Sequence, residues 1–239
     1  MQRALYTFII WIFLSTGFLR NADAENEFTC RAPVPATVRE QLLRQVQERY
    51  ESYGDLQAKF VQRSVFVSLN QHALSRGMVF FKKPGKMDWN YSEPDVQRFV
   101  ADGRTLWFYQ PGLKQVTVGE FKQAFTSDVP VSFLSGIGHL KDNFALKDAC
   151  ISDAGVVLSL VSKSPDPQLD EFYLLVQKDN HLPRGARIVD LGGNDTQIIF
   201  EDISLNNSMG DDRFTFSVPR GVDIIDGRAK KPNISRVLE

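Results

Sequence analysis

The sequence predicts a mainly β protein built on one large curved antiparallel sheet or barrel. Short segments rich in β-branched and aromatic residues alternate with polar positions along most of the chain. Tight-turn signals such as Pro84-Gly85 and Asp102-Gly103 separate these segments, and no linker or fixed-period repeat divides the chain. Because strands this short and this closely joined pair antiparallel, about eleven of them should form a single sheet.

The first residues predict export. Residues 4–19 are an uninterrupted apolar run after a short basic start, and Ala22-Asp23-Ala24 has the small-x-small form that signal peptidase needs. We therefore predict a cleaved signal peptide over residues 1–24, one domain over residues 25–239, and a periplasmic location. An uncleaved membrane anchor is the alternative, although the apolar run is short for crossing a bilayer.

One amphipathic helix should come next, between Pro35 and Gly54. Thr37 could cap it, and apolar residues recur at helical spacing, namely Val38, Leu42, Leu43, Val46 and Tyr50. A second helical region, of one or two short helices, is expected in the Ser- and Gly-rich connection over residues 120–144. The predicted strands lie at residues 56–69, 74–82, 87–91, 96–101, 105–109, 115–118, 144–148, 156–162, 171–177, 186–191, 197–203 and 213–217.

The hairpin over residues 77–91 is unusually apolar. Alternation places Val79 and Phe81 on one face of its first strand and Met78 and Phe80 on the other, so neither face is polar. In the second strand Met87, Trp89 and Tyr91 share a face, and the following strands add Phe99 and the run from Leu106 to Tyr109. These aromatics either fill a core or line a space for an apolar ligand, and periodicity does not separate the two.

Two cysteines, Cys30 and Cys150, are present in the exported chain. In an oxidising compartment they should form a disulfide that closes a loop of about 120 residues. Two free buried thiols are the alternative.

Composition and motifs do not favour a nucleic-acid binder, an enzyme or a metal-binding protein. Without Arg3, Arg20 and Asp23, the 28 basic and 29 acidic residues become 26 and 28, so the basic excess of a nucleic-acid binder is missing. His72, His139 and His181 stand apart from any nucleophile motif or metal-ligand spacing, and no Gly-rich phosphate loop is present. We expect no enzyme activity, no metal and no cofactor.

Five motifs in order resemble the outer-membrane lipoprotein carrier protein (LolA) family. They are "AKFVQ" (58–62), "GMVFFKKPGKMDWNY" (77–91) followed by Pro94, "DGRTLWFYQP" (102–111), Gln115-Val116, and "FTFSVPRGVDII" (214–225). The resemblance covers most of the mature chain. It implies an unclosed antiparallel barrel whose apolar concave face is covered by a helical lid.

The resemblance also implies a function. Family members are periplasmic chaperones that take acylated lipoproteins from an inner-membrane ABC transporter and pass them to an outer-membrane acceptor. We expect the same partners here and a monomer. Burying an acyl chain gains about 0.8 kcal/mol per methylene, so such a cargo needs a dry surface to cross water. A carrier of another lipid or glycolipid, and a lipid- or lipoprotein-sensing domain of the same fold, remain alternatives.

The expected site residues follow from combining the resemblance with the aromatic pattern. The expected cavity-facing residues are Val79, Phe81, Trp89, Tyr91, Phe99, Trp107 and Tyr109, with Phe133 and Leu134 from the lid. Lys83 stands where the family usually has an arginine that hydrogen-bonds lid backbone, so Lys83 is the latch candidate; a solvated strand end is the alternative. Pro84, Gly85 and Met87 form the candidate transporter contact. The Lys83 departure and the cysteine pair mark the chain as a divergent member.

Overall fold

The structure, a computed structural model, describes residues 26–121, 140–164 and 169–228. The predicted signal peptide and the predicted lid residues Phe133 and Leu134 lie outside the described residues. No helix among the described segments is long and apolar enough to cross a membrane.

The described residues form thirteen strands in one sheet, together with two α-helices. The strands are β1 Ala32–Pro33, β2 Asp55–Phe66, β3 Gln71–Lys82, β4 Lys86–Glu93, β5 Gln97–Asp102, β6 Thr105–Gln110, β7 Gln115–Glu120, β8 Phe144–Ile151, β9 Val156–Ser162, β10 Glu171–Val176, β11 Pro183–Val189, β12 Asp195–Leu205 and β13 Asp223–Asp226. The helices are α1 Ala36–Glu51 and α2 Leu140–Asn143.

The sheet is unclosed, with strand order β1-β8-β9-β10-β11-β12-β2-β3-β4-β5-β6-β7-β13. All its pairs are antiparallel except the pair between β7 and β13, which is parallel. The prediction of a mainly β, unclosed antiparallel architecture is confirmed. The strand count differs because the two terminal strands β1 and β13 were not predicted, and because residues 213–217, predicted as a strand, pair with no neighbour.

Side chains from both halves of the sheet meet α1 in one apolar core, and we call the side of the sheet that holds this core the inner face. Leu42, Val46 and Tyr50 of α1 belong to the same buried cluster as Phe60 of β2 and Trp89 of β4. The helix therefore covers the inner face. The predicted bounds are confirmed, but the predicted Thr37 cap is wrong: α1 begins at Ala36 without a side-chain cap, and Val38 is 46% exposed.

The opposite, outer face of β3–β6 is covered by residues 206–219, which we call the C-terminal strap. Asp55 anchors the beginning of the strap by accepting hydrogen bonds from the backbone N–H groups of Asn207 (2.7 Å) and Met209 (3.2 Å). Farther along, Phe214 is 1% exposed, and Phe216 lies 5.4 Å from Tyr109 between ring centroids. The apolar residues that alternate in this segment thus pack onto the sheet instead of extending it.

The N-terminal segment packs on the outer face of the other half of the sheet. Phe28 and Cys150 lie in a small second cluster with Val157, Leu175 and Ile199. Cys30 forms a disulfide with Cys150, with 5.5 Å between the Cα atoms. Directly after it β1 pairs with the edge of β8, and α1 then continues on the inner face, so the chain turns around this edge of the sheet.

Candidate functional site

The inner face of β2–β4 carries a cluster of aromatic rings. The Phe60 ring makes edge contacts with Trp89 (5.1 Å between centroids) and Tyr91 (4.9 Å), and Trp89 makes further contacts with Phe81 (5.9 Å) and Phe200 (6.2 Å). Edge-to-face pairs of this kind stabilise a core beyond the area that they bury. The cluster is an apolar surface in the same buried core as α1.

Gly77 makes the close approach of these rings possible. A Cβ at this position would lie 2.8 Å from the Phe60 ring and 1.9 Å from the carbonyl oxygen of Asn90. Any side chain here would therefore displace the Phe60 ring or the neighbouring strand. The glycine of the "GMVFF" motif is required by this packing.

The register of the strands decides which predicted residues share the inner face. Trp89 pairs with Phe99, and Phe99 pairs in turn with Phe108, whose ring stacks on it at 4.2 Å. Val79, Phe81 and Trp89 are buried on this face, and Tyr91 and Phe99 are half-buried there. Whether these residues bind a ligand stays a prediction.

Trp107 and Tyr109 lie on the outer face, so the expectation that they face the same side as Trp89 is wrong. They alternate with Phe108, which holds the inner position of β6. Both contact Phe216 of the C-terminal strap, and Tyr109 also lines an outer-face pocket of about 400 Å³. Phe108 was missed because both faces of β6 are apolar.

The candidate partner contact at the β3–β4 turn is also corrected in part. Pro84 is exposed, but Gly85 is buried and Met87, at 2% exposure, belongs to the core of the inner face. Met87 follows the turn on the inward side of β4, pairing with Phe81. Of the three residues, Pro84 alone is accessible to a partner.

Lys83 holds the C-terminal end of α1. Its ammonium group donates to the backbone carbonyls of Tyr50 and Tyr53, the latter at 2.9 Å. The same nitrogen lies 3.8 Å from the centroid of the Tyr50 ring and 3.9 Å from that of the Tyr53 ring. A cation at a helix C-terminus, over two aromatic faces, is electrostatically favoured. The geometry differs from that of a solvated strand end and joins the sheet to the helix above it.

The buried setting of Lys83 predicts a pH dependence of stability. Burial lowers its pKa from 10.5 to about 8, and Glu51 opposes part of that change. Between these values the unfolded chain holds more protons, so the free energy of unfolding rises with pH. This contribution is fully present above pH 10.5 and is lost as the pH falls through 8.

Urea unfolding of the wild type and of Lys83→Arg across this range tests the prediction, because arginine keeps its charge throughout. The stability of the wild type relative to the variant should rise from pH 8 to 10.5, while all other titrating groups are shared by the two proteins. Parallel pH profiles would contradict it.

The described residues hold no group of three or more His, Cys, Asp and Glu side chains that could bind a metal ion. The candidate site is made of apolar rings, a helix and one lysine.

Comparison with known proteins gives a consistent family. Residues 51–217 match the model of the family described as "Outer membrane lipoprotein carrier protein LolA". An "Outer-membrane lipoprotein carrier protein" from Methylococcus capsulatus is 32% identical over 186 residues, which is 76% of this chain and 88% of the relative. One from Methylobacillus flagellatus is 31% identical over 192 residues, or 80% and 92% of the two chains.

Among solved structures, an uncharacterized conserved protein from Thermus thermophilus has a similar fold. Its TM-score is 0.51 at 13% sequence identity, and the match covers 79% of this chain and 99% of that one. At this identity the likeness concerns the fold alone.

Proposed function

Because the chain belongs to the outer membrane lipoprotein carrier protein LolA family, we propose that it is a periplasmic carrier that shields the acyl chains of lipoproteins on its inner face. In this function it receives its cargo from an inner-membrane ABC transporter and delivers it to an outer-membrane acceptor. The observation that carries the proposal is the aromatic inner face lying beneath α1. Such a face can bury alkyl chains once the helix moves aside.

The helix has a second role in this proposal. An empty carrier that exposed its aromatic face would aggregate, so the face has to be covered between cargoes. The contacts of Lys83 with the Tyr50 and Tyr53 carbonyls stabilise the covered state. Cargo binding competes with this state, since a ligand shifts an equilibrium only by its preference for one form.

Native mass spectrometry of the mature protein isolated gently from periplasm tests the cargo. We expect acylated lipoprotein in the bound fraction. A bound free lipid or glycolipid would move the function to another cargo, and a protein that stays empty and takes up no added acyl probe would contradict the carrier function.

Lys83→Leu tests the latch. The variant loses hydrogen bonds from a charged group, which contribute about 1.5–3 kcal/mol each, so the covered state should weaken and transfer of cargo to an acceptor should slow by tenfold or more. Lys82→Leu is the matched control, because Lys82 is the neighbouring lysine and contacts the Met209 carbonyl and Asp211 of the strap instead of α1. Equal transfer rates for the two variants would contradict the latch.

A further inference from the structure

A row of polar side chains crosses the inner face at the end of the sheet away from Lys83. Its members are Thr196 of β12, Gln62 and Ser64 of β2, Ser75 of β3, Tyr91 of β4 and Gln97 of β5. The register carries the row from strand to strand, since Gln62 pairs with Ser75 and Tyr91 pairs with Gln97. It interrupts an otherwise apolar surface.

Four side chains of this row form hydrogen bonds with one another. The Tyr91 hydroxyl donates to Gln62 Oε1 at 2.8 Å, and Gln62 Nε2 donates to the Ser64 hydroxyl at 3.2 Å. The Ser64 and Thr196 hydroxyls lie 3.3 Å apart and share a hydrogen bond. This chain of bonds fixes the Tyr91 ring beside Trp89, on which it stacks.

Three neighbouring polar atoms have no such partner. In the part of the chain that the structure describes, Ser75 Oγ, Gln97 Oε1 and Trp89 Nε1 are buried and make no hydrogen bond. Their residues are 1%, 5% and 4% exposed. They lie on the adjacent strands β3, β4 and β5, which span about 10 Å across the sheet. Along the strands Trp89 pairs with Val79, four residues or about 13 Å from Ser75, and Gln97 pairs with Tyr91, between these two levels.

The other buried atoms without a hydrogen bond in the described residues differ from these three. Those of Glu27, Arg49 and Asp195 belong to charged side chains that form an ion pair or another hydrogen bond. Thr117 Oγ1 lies on β7, about 10 Å farther along the sheet. A buried polar group without a partner is costly and is rare in folded proteins. Three of them on one face of three adjacent strands call for a ligand that can bond to them.

The chemistry of the three atoms limits the classes of ligand that can bind to them. Methylene groups offer no hydrogen bond, so an alkyl chain alone leaves all three unpaired. The Ser75 hydroxyl and the Trp89 N–H can donate to carbonyl oxygens such as those of acyl esters. Gln97 Oε1 accepts, and so requires an N–H or O–H from the ligand. An ester lipid without such a donor leaves Gln97 unpaired, whereas an N-acylated amino group supplies an amide N–H.

We infer that Ser75, Trp89 and Gln97 form a polar subsite that binds the ester carbonyls and the amide N–H joining the acyl chains to the amino-terminal residue of an acylated lipoprotein. The inference rests on the proposed carrier function. It orients the cargo, with its head at the polar row and its alkyl chains on the rings of Trp89, Phe81 and Phe60. The subsite therefore selects for the linkage as well as for the chains.

Equilibrium binding to the full mature chain tests the subsite with three probes. The first is a peptide whose terminal cysteine is N-acylated and carries an S-linked diacylglyceryl group. The second is the same peptide with both esters replaced by ethers, and the third is a diacylglycerol ester whose remaining hydroxyl is methylated, so that it offers neither an amide N–H nor an O–H. The wild type should bind the first about tenfold or more tightly than either of the others.

Two variants distinguish the contact of Ser75 with an ester carbonyl from the contact of Gln97 with the amide N–H. Ser75→Ala should weaken the ester peptide several-fold and leave the ether peptide unchanged. Gln97→Leu should weaken both peptides and leave the diacylglycerol unchanged. Ser92→Ala is the control, because Ser92 is an exposed serine on β4 that bonds only to the Arg76 carbonyl. Thermal unfolding of the empty protein provides a second measurement: Ser75→Ala should unfold at the same or a higher temperature, since it removes an unpaired buried hydroxyl.

The outcomes distinguish this inference from the function on which it rests. If the wild type and both variants bind all three probes equally, the subsite is wrong and solvent serves these groups, while the carrier function stands. Tighter binding of the diacylglycerol than of the peptides would make the cargo a free lipid and overturn the inference. Failure of the wild type to bind any probe would overturn the carrier function itself.

Discussion

Replacing Cys30 and Cys150 together with alanine is expected to lower the free energy of unfolding by about 4 to 5 kcal/mol. The bond joins residues 120 apart in the sequence, and closing so long a loop removes much of the entropy of the unfolded chain. The contacts left behind are few, because β1 pairs only Ala32 and Pro33 with β8. Without the bond, the segment that leads into α1 is held by Phe28, by Val34 in the main core, by backbone hydrogen bonds of Arg31 and Val34 to β8, and by the surface ion pair between Arg31 and Asp153.

Denaturant unfolding of the double variant and of the wild type, with and without reductant, measures this effect. Reduced wild type should match the double variant, which controls for any packing change at Cys150. A difference between variant and wild type of less than 1 kcal/mol under oxidising conditions would contradict the prediction.

Asp88→Asn is expected to lower the free energy of unfolding by about 3 kcal/mol. Asp88 has no exposed surface and accepts two hydrogen bonds from Arg98, at 2.8 and 3.0 Å, and one from Arg213 at 3.3 Å. Removing one member of a buried ion cluster leaves the others without compensation. The two guanidinium groups are partly exposed, at 35% and 41%, so the effect should lie at the lower end for buried pairs.

A second measurement on Asp88→Asn concerns the C-terminal strap. Arg213 of the strap pairs with Asp88 and also lies 3.8 Å from the centroid of the Phe80 ring. Asp211 of the strap pairs with Lys82 and Lys86 of the sheet. Limited proteolysis should cut residues 206–219 faster in Asp88→Asn. Asp226→Asn is the control, since its pair with Arg228 is exposed on both sides and a surface pair of this kind contributes little to stability. Equal stability of the two variants would show that the buried cluster is dispensable.

Sequence periodicity predicted the strands well and their faces less well. Trp89 has a clear phase because it alternates with Asp88 and Asn90, and the Pro84-Gly85 turn carries that phase back to Val79 and Phe81, which pair with Trp89 and Met87. In β6, Leu106, Trp107, Phe108 and Tyr109 are all apolar, so alternation has no preferred phase there. The register is set by the β5–β6 turn, where Asp102 accepts from the N–H groups of Arg104 and Thr105.

The C-terminal strap explains two wrong predictions: the face assigned to Trp107 and Tyr109, and the strand expected over residues 213–217. Phe214 and Phe216 alternate as in a strand, yet they pack on the outer face and pair with no neighbour. They bury the side of the sheet on which Phe80 lies, which is why β3 is apolar on both faces. The partners that hold the strap, Asp55 and Asp88, are far away in the sequence, and local pattern contains no sign of them.

The two ends of the sheet have a consequence for the proposed carrier function, in which an apolar surface is uncovered in water. The strands at its open margins, β1 with two residues and β13 with four, are the shortest among the described β-strands but lie beside long ones. Unpaired backbone at such a margin is a template for pairing with another chain, and very short margins limit that pairing. The strands that carry the aromatic cluster, β2 to β4, lie inside the sheet, with both neighbours already bonded. Molecules that meet while their inner faces are uncovered therefore have no free backbone in these strands through which to join into fibrils.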